Sequence, residues 1–225
     1  MNVLALDCAG RGCAAAVLTA SGVAARRVRA MERGQAEALM PMIDDVLAEA
    51  SMRFADLDLL AVTVGPGSFT GVRIGLAAAR GLALATGLPL VGITSFAAAA
   101  AGVPPARRGG RPLAVALDSK REEIFLQVFA PDGPVLAAGV MVERAAIEAA
   151  LPPGPVLVAG DAAARLVSWV PGRAALASGT GLPDPGDIAR LALASWRPGQ
   201  TLSPPRPLYL RAPDTTPPRA AKVAG

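Results

Sequence analysis

A glycine corner set between a strand and a helix constrains this chain more than any other feature. The apolar run Leu59-Leu60-Ala61-Val62-Thr63-Val64 stops abruptly at Gly65-Pro66-Gly67. Ser68 and Thr70 then offer hydroxyls where a helix would start, and Val72, Leu76, Ala79 and Leu82-Ala83 continue at helical spacing. A strand, a tight turn and a helix follow from that pattern. Gly65 and Gly67 allow positive φ, and Pro66 fixes the turn between them. A hydroxyl at the cap would take up a backbone N–H that otherwise lacks a partner. Two readings of the corner stand open: a sharp bend and nothing more, or an anion site at the helix N-terminus. It is neither a Walker loop nor a dinucleotide fingerprint, because no Gly-Lys-Ser/Thr follows and the glycine spacing is wrong.

The helix beyond the corner is thin. Gly71, Gly75, Ala77, Ala78, Ala79 and Gly81 would let another backbone come close. An earlier amphipathic helix is expected over Ala36 to Ala50, where Leu39, Met42, Ile43, Val46, Leu47 and Ala50 recur at i, i+3, i+4, i+7, i+8 and i+11. Pro41 within it is tolerable only in the first turn or at a kink. Ahead of it, Val3 to Asp7, Ala14 to Leu18 and Val23 to Met31 read as strands. After the Pro/Arg/Gly stretch Val103 to Pro112, strands are expected at Leu113–Leu117, Glu123–Phe129, Val135–Val142 and Val156–Ala159. Helices are expected at Glu143–Leu151 and Asp187–Ser195. The element order of the second half repeats that of the first.

Absences narrow the chemistry. The chain has no histidine, so no Ser-His-Asp or Cys-His hydrolase, no His-ligated metal and no imidazole acid–base step can be built. Cys8 and Cys13 match neither a CxxC nor a zinc spacing. A hairpin could bring them together, but reduced buried thiols are the expectation. The net charge of +4 reflects clusters at Arg26-Arg27, Arg107-Arg108 with Arg111, and the end of the chain. No aromatic residue is interleaved with them, so base stacking finds little support in sequence. Residues 81–106 carry no charge, yet their prolines and glycines break them into a helix end, a strand and an Ala-rich helix. No secretory signal is evident, and a soluble cytoplasmic protein is expected.

Gly65-Pro66-Gly67-Ser68-Phe69-Thr70-Gly71-Val72-Arg73-Ile74-Gly75 resembles the signature of the TsaB family, also called YeaZ. Val3 to Asp7 resembles that family's opening strand and aspartate, Glu37 to Asp44 its first long helix, Ala116 to Phe125 the strand pair opening its second half, and Leu208-Tyr209-Leu210-Arg211 its closing segment. The resemblance implies an α/β fold of the actin-like/Hsp70-like ATPase type (ASKHA), with two small lobes and a degenerate nucleotide site. The lobes are expected over 1–105 and 106–211, with 212–225 a disordered tail. This sequence departs from the pattern at Asp7-Cys8-Ala9, where many members have Asp-Thr-Ser, and at Gln35-Ala36, where many have His-Ser.

The resemblance also implies a function. TsaB proteins are non-catalytic dimerisation partners of TsaD, which transfers threonylcarbamoyl to the adenosine beside the anticodon of transfer RNA; an ATPase, TsaE, joins them. Two N-lobe helices build the contact, with Leu39, Met42, Ile43, Val46, Gly71, Ile74, Gly75 and Ala78 as the interface here. A vestigial phosphate loop would comprise Asp7, Gly10, Gly65, Gly67, Ser68, Thr70 and Arg73. No catalytic residue, no metal ligand and no required cofactor are expected; ATP and Mg²⁺ would bind weakly or to the partners. Transfer RNA would be met through the complex, the isolated chain could form a homodimer, and no membrane is involved. The alternatives are an active ATP-dependent phosphotransferase using Asp7, Asp118 and the corner, or a direct RNA binder.

Overall fold

The computed structural model of the chain describes residues 1–178, 181–200 and 202–211. The expected tail, 212–225, lies outside the described residues. The element order is β1 (Val3–Asp7), β2 (Gly12–Thr19), β3 (Gly22–Ala30), α1 (Gln35–Glu49), β4 (Leu59–Thr63), α2 (Phe69–Thr86), β5 (Leu90–Ile93) and α3 (Ser95–Ala101). The second half supplies β6 (Leu113–Asp118), β7 (Ile124–Phe129), β8 (Val140–Val142), α4 (Ile147–Ala150), β9 (Val156–Ala159), α5 (Ala163–Trp169), β10 (Ala174–Leu176) and α6 (Pro185–Ser195).

Two five-stranded sheets form, ordered β3-β2-β1-β4-β5 and β10-β9-β6-β7-β8. The orders are equivalent. β1 is antiparallel to β2 and parallel to β4, as β6 is antiparallel to β7 and parallel to β9. The repeat expected from the order of elements is therefore present in the topology. It places Asp7 at the end of β1 opposite Asp118 at the end of β6, and Gly65 after β4 opposite Gly160 after β9.

Strand alternation decides what each sheet buries. In β1, Leu4 and Leu6 face the core under α1 and α2, while Val3 and Ala5 face the opposite core with Ile188, Ala189 and Ala192 of α6. Both faces of the central strand are covered, which is why it reads as a continuous apolar run. The second sheet is covered by Ile147 and Leu166 of α4 and α5 on one face. On its other face lie Phe96 and Ala100 of α3.

α6 corrects the expected domain division. It follows the whole second sheet in sequence, yet it packs on β1, β2, β4 and β5 of the first. The second lobe is therefore not the continuous run 106–211. The apolar stripe of α6 fills a face that it shares with Ala97 and Ala98 of α3. Asp184 caps the helix by accepting from the Gly186 N–H at 2.8 Å, and Pro185 opens its first turn.

Three local expectations need adjustment. The strand expected over Val135–Val142 shortens to Val140–Val142, with Val135 making only an isolated bridge to Phe129. The helix expected over Glu143–Leu151 shrinks to a 3₁₀ turn and Ile147–Ala150. Pro41 lies well inside α1 rather than in its first turn, on the exposed side, where the carbonyl it leaves unpaired meets water. As the missing His-Ser suggests, Gly34 precedes α1 without a side-chain cap.

Candidate functional site

The corner after β4 is built by one left-handed glycine and two close approaches. Gly65 has φ 95°. Gly67 is not at positive φ; it is glycine because a β-carbon there would stand 2.2 Å from the Ala9 carbonyl oxygen. Gly71 is in the same position, with a β-carbon placed 2.0 Å from the Cys8 carbonyl oxygen. The β1–β2 turn is thus pressed backbone to backbone against the start of α2. Ser68 seals the junction: its N–H donates to the Ala9 carbonyl at 2.8 Å, and its Oγ accepts from the Gly71 N–H at 3.2 Å. Cys8 and Cys13 sit buried beneath this turn as free thiols with their sulfurs 3.6 Å apart.

The corner faces a cleft between the lobes. Asp7, Gly10, Gly67 and Ser68 line it from one side, Asp118, Lys120 and Asp161 from the other. Asp7 Oδ1 accepts from the Ala9 N–H at 2.8 Å and from the Thr63 hydroxyl at 2.5 Å. Asp161 Oδ1 accepts from the Asp118 N–H at 2.8 Å. Arg11 reaches across from the first lobe to Asp118 Oδ2 at 2.8 Å, joined by Lys120 at 3.4 Å.

Burial pushes the Asp7 carboxyl above its ordinary value, against the hydrogen bonds from Thr63 and Ala9, and the charge of Asp161 adds to the rise. Burial raises Asp161 likewise, with Asp118 adding. Burial also acts on Asp118, but Arg11 and the N–H and charge of Lys120 outweigh it and hold that carboxyl below the usual range.

Four of the seven residues expected to form a phosphate loop meet in the cleft: Asp7, Gly10, Gly67 and Ser68. Gly65 lies behind, against Val72 and the Leu208 carbonyl. Thr70 and Arg73 line a separate groove on the other side of Ser68. The cleft does not fit a nucleotide. Its cavity is about 30 Å³, room for a water, against the several hundred Å³ of ordinary ligand pockets. Leu182 closes over the turn, 3.8 Å from where a Gly10 β-carbon would lie. The N–H groups of Ala9, Ser68 and Gly71 are already spent on protein acceptors. Three carboxyl groups face a single lysine, Lys120, along the cleft, a poor setting for a phosphate. Among the described residues no cluster of three or more metal-type ligands occurs.

The sign of the Asp7 shift gives a prediction. A carboxyl whose folded pKa is raised contributes most to stability below its unfolded value, near 3.8. That contribution is lost as pH rises through the folded value, because the folded state then holds a buried charge. Asp7→Asn keeps an acceptor for Ala9 and Thr63 and removes the charge. It is expected to melt higher than the parent at neutral pH, with the gain vanishing below the ordinary aspartate range. Thermal melts across pH test it; an Asn variant less stable at neutral pH would contradict it.

The interface residues expected from sequence divide sharply. Leu39, Met42, Ile43 and Val46 are all under 8% exposed, packed against Leu4, Leu6 and Leu60 of the chain's own sheet. They are core, and the expectation that they anchor a partner is corrected: α1 has one apolar stripe, and the sheet takes it. Gly71 and Gly75 also point inward, toward Cys8 and Val62. Ile74 and Ala78 remain half-buried. The outward face of α2 carries Arg73, Ala77, Gly81 and Leu84, the last 88% exposed. A β-carbon at Gly81 would meet nothing within 4 Å.

Known proteins are similar to this chain in sequence and in fold. The family model described as "TsaD: tRNA N6-adenosine threonylcarbamoyltransferase" matches residues 20–172. The tRNA threonylcarbamoyladenosine biosynthesis protein TsaB of Escherichia coli is 34% identical over 125 residues, 56% of this chain and 53% of that protein. A crystal structure from Pseudomonas aeruginosa, an uncharacterized protein with similarity to peptidase YEAZ, superposes with a TM-score of 0.81 at 26% identity, covering 93% of this chain and 99% of that one. The chain belongs to this threonylcarbamoyltransferase family, in its TsaB (YeaZ) branch. It spans about half the length of the TsaB protein it matches. An activator of 2-hydroxyisocaproyl-CoA dehydratase from Clostridium difficile with bound ADPNP shares the fold alone, at 10% identity and a TM-score of 0.51 over 86% of this chain and 95% of that one. The fold is thus the actin-like ATPase fold in two small lobes. Among the described residues no helix is long and apolar enough to cross a membrane.

Proposed function

We propose that this chain is the non-catalytic partner of a TsaD-like subunit in forming threonylcarbamoyladenosine beside the anticodon of transfer RNA. A TsaE-like ATPase completes the assembly, and transfer RNA is met through the complex. The reading rests on the TsaB relationship and on one structural observation, the outward face of α2. Ala77 and Gly81 leave that face flat, and Leu84 stands 88% exposed beside half-buried Ile74, Ala78 and Leu82. An uncovered leucine beside small residues at helical spacing suits the close approach of a second helix. Met40 on α1 is likewise 41% exposed. A blocked cleft whose amides are already committed argues for a supporting role, with ATP and Mg²⁺ held by the partners. The same face could pair two copies of the isolated chain.

The test combines binding and activity. Omitting the chain from a reconstituted modification reaction is expected to reduce threonylcarbamoyladenosine formation. Ala77→Glu with Leu84→Glu is expected to weaken titration binding to the TsaD-like subunit about tenfold or more, with little change in melting because both sites are exposed. Unchanged affinity in that variant removes the surface. Undiminished modification without the chain removes the function.

A further inference from the structure

Beside the blocked cleft, on the far side of Ser68, lies an open groove of about 550 Å³. Its lining contrasts with the cleft in every respect that matters to an anion. Arg73, Lys120 and Arg211 line it with Phe69, Phe125 and Tyr209, and among the described residues no carboxylate lines it. Three rings gather here although aromatics make up only 4% of the chain.

The cluster is ordered by its own contacts. The rings of Phe69 and Tyr209 lie 5.2 Å apart at a 32° tilt. The Arg73 guanidinium sits 3.7 Å over the Phe69 ring, and its Nε donates to the Tyr209 hydroxyl at 3.1 Å. Phe69 and Tyr209 each remain 40% exposed, so ring surface is left to the groove. Lys120 stands half exposed across from them, with a 3.4 Å contact to Asp118, which Arg11 already holds. Rings with open surface beside cations and free of acids form the combination that stacks a base and neutralises its phosphate.

We propose that this groove binds a nucleotide, free or as a residue of single-stranded RNA, with the base against Phe69 and Tyr209 and the phosphate held by Arg73 and Lys120. Separation in sequence hid the site: the segment holding Phe69 and Arg73 and the segment holding Tyr209 and Arg211 lie far apart in the chain. The cleft repels phosphate and the groove attracts it, with Ser68 and Lys120 lining both. The inference does not depend on the TsaD-like partner and is tested without it.

Three ligands are titrated against the full chain: an oligoadenylate RNA, AMP and inorganic tripolyphosphate. The oligoadenylate is expected to bind at least about tenfold tighter than tripolyphosphate, since only the former can stack. Phe69→Leu with Tyr209→Leu is expected to remove that advantage. Lys120→Ala, on a half-exposed surface site, is expected to lower the salt dependence of oligoadenylate binding by about one ion. Comparable affinity for AMP and the oligomer would assign the site to free nucleotides, and binding of the oligomer alone would assign it to a strand; either supports the proposal. Tripolyphosphate binding as well as RNA, an unaffected double variant that melts like the parent, or no binding by either nucleotide ligand would overturn it.

Discussion

Gly71→Ala is expected to destabilise the folded chain by about 3 kcal/mol or more. Helix propensity alone points the other way, because alanine is favoured over glycine by about 1 kcal/mol in a helix interior. Geometry wins: the new methyl would stand 2.0 Å from the Cys8 carbonyl oxygen, a backbone atom fixed by the β1–β2 hairpin and by the Ser68 to Ala9 hydrogen bond. Neither side can yield without parting α2 from the hairpin turn. Gly81→Ala is the matched control. It lies in the same helix with open space around it and is expected to gain up to about 1 kcal/mol. Chemical denaturation of the two variants measures both effects. A Gly71→Ala protein as stable as the parent would mean that the hairpin turn does not lie where the structure puts it.

The second large effect concerns α1. Met42→Asp combined with Val46→Asp is expected to abolish cooperative folding rather than merely detach a partner. Both side chains are buried, Val46 completely, against the first sheet. Each substitution forfeits about 2 kcal/mol of apolar burial and forces a carboxylate into an unpaired apolar site at a cost of several more. Two such sites exceed the lower part of the usual range of domain stability, about 5–15 kcal/mol. Circular dichroism through a thermal ramp is the measurement. A cooperative melt close to that of the parent would return these residues to the surface and reopen the original expectation of an α1 anchor.

The sequence was informative where a signal fits inside a short window. The apolar run Val3 to Leu6 announced a strand, the Gly-Pro-Gly break announced the corner, and the 3.6-residue period announced α1 and α2. Asp7 and Asp118 could be placed at equivalent strand ends because the order of elements repeats. What stayed hidden depends on residues far apart in the chain. Gly67 is glycine because of Ala9, and Arg73 finds Tyr209 only after the closing segment folds back to pair Leu208 with Val64. The apolar stripe of α1 was visible, but periodicity cannot say whether a sheet or another protein covers it. The thinness of α2 was legible too. Its cause was split: Gly71 and Gly75 admit the chain's own hairpin, while Ala77 and Gly81 face outward.

The return of α6 to the first sheet also governs how the molecule can be made. During synthesis β1 to β5 emerge early, but much of the face awaiting Ile188, Ala189 and Ala192 stays bare until α6 follows the whole second sheet off the ribosome. A fragment ending before that helix is expected to keep a greasy flank in water and to fold poorly alone. Excising it for study would yield a sticky, aggregating piece, and the two halves must mature together.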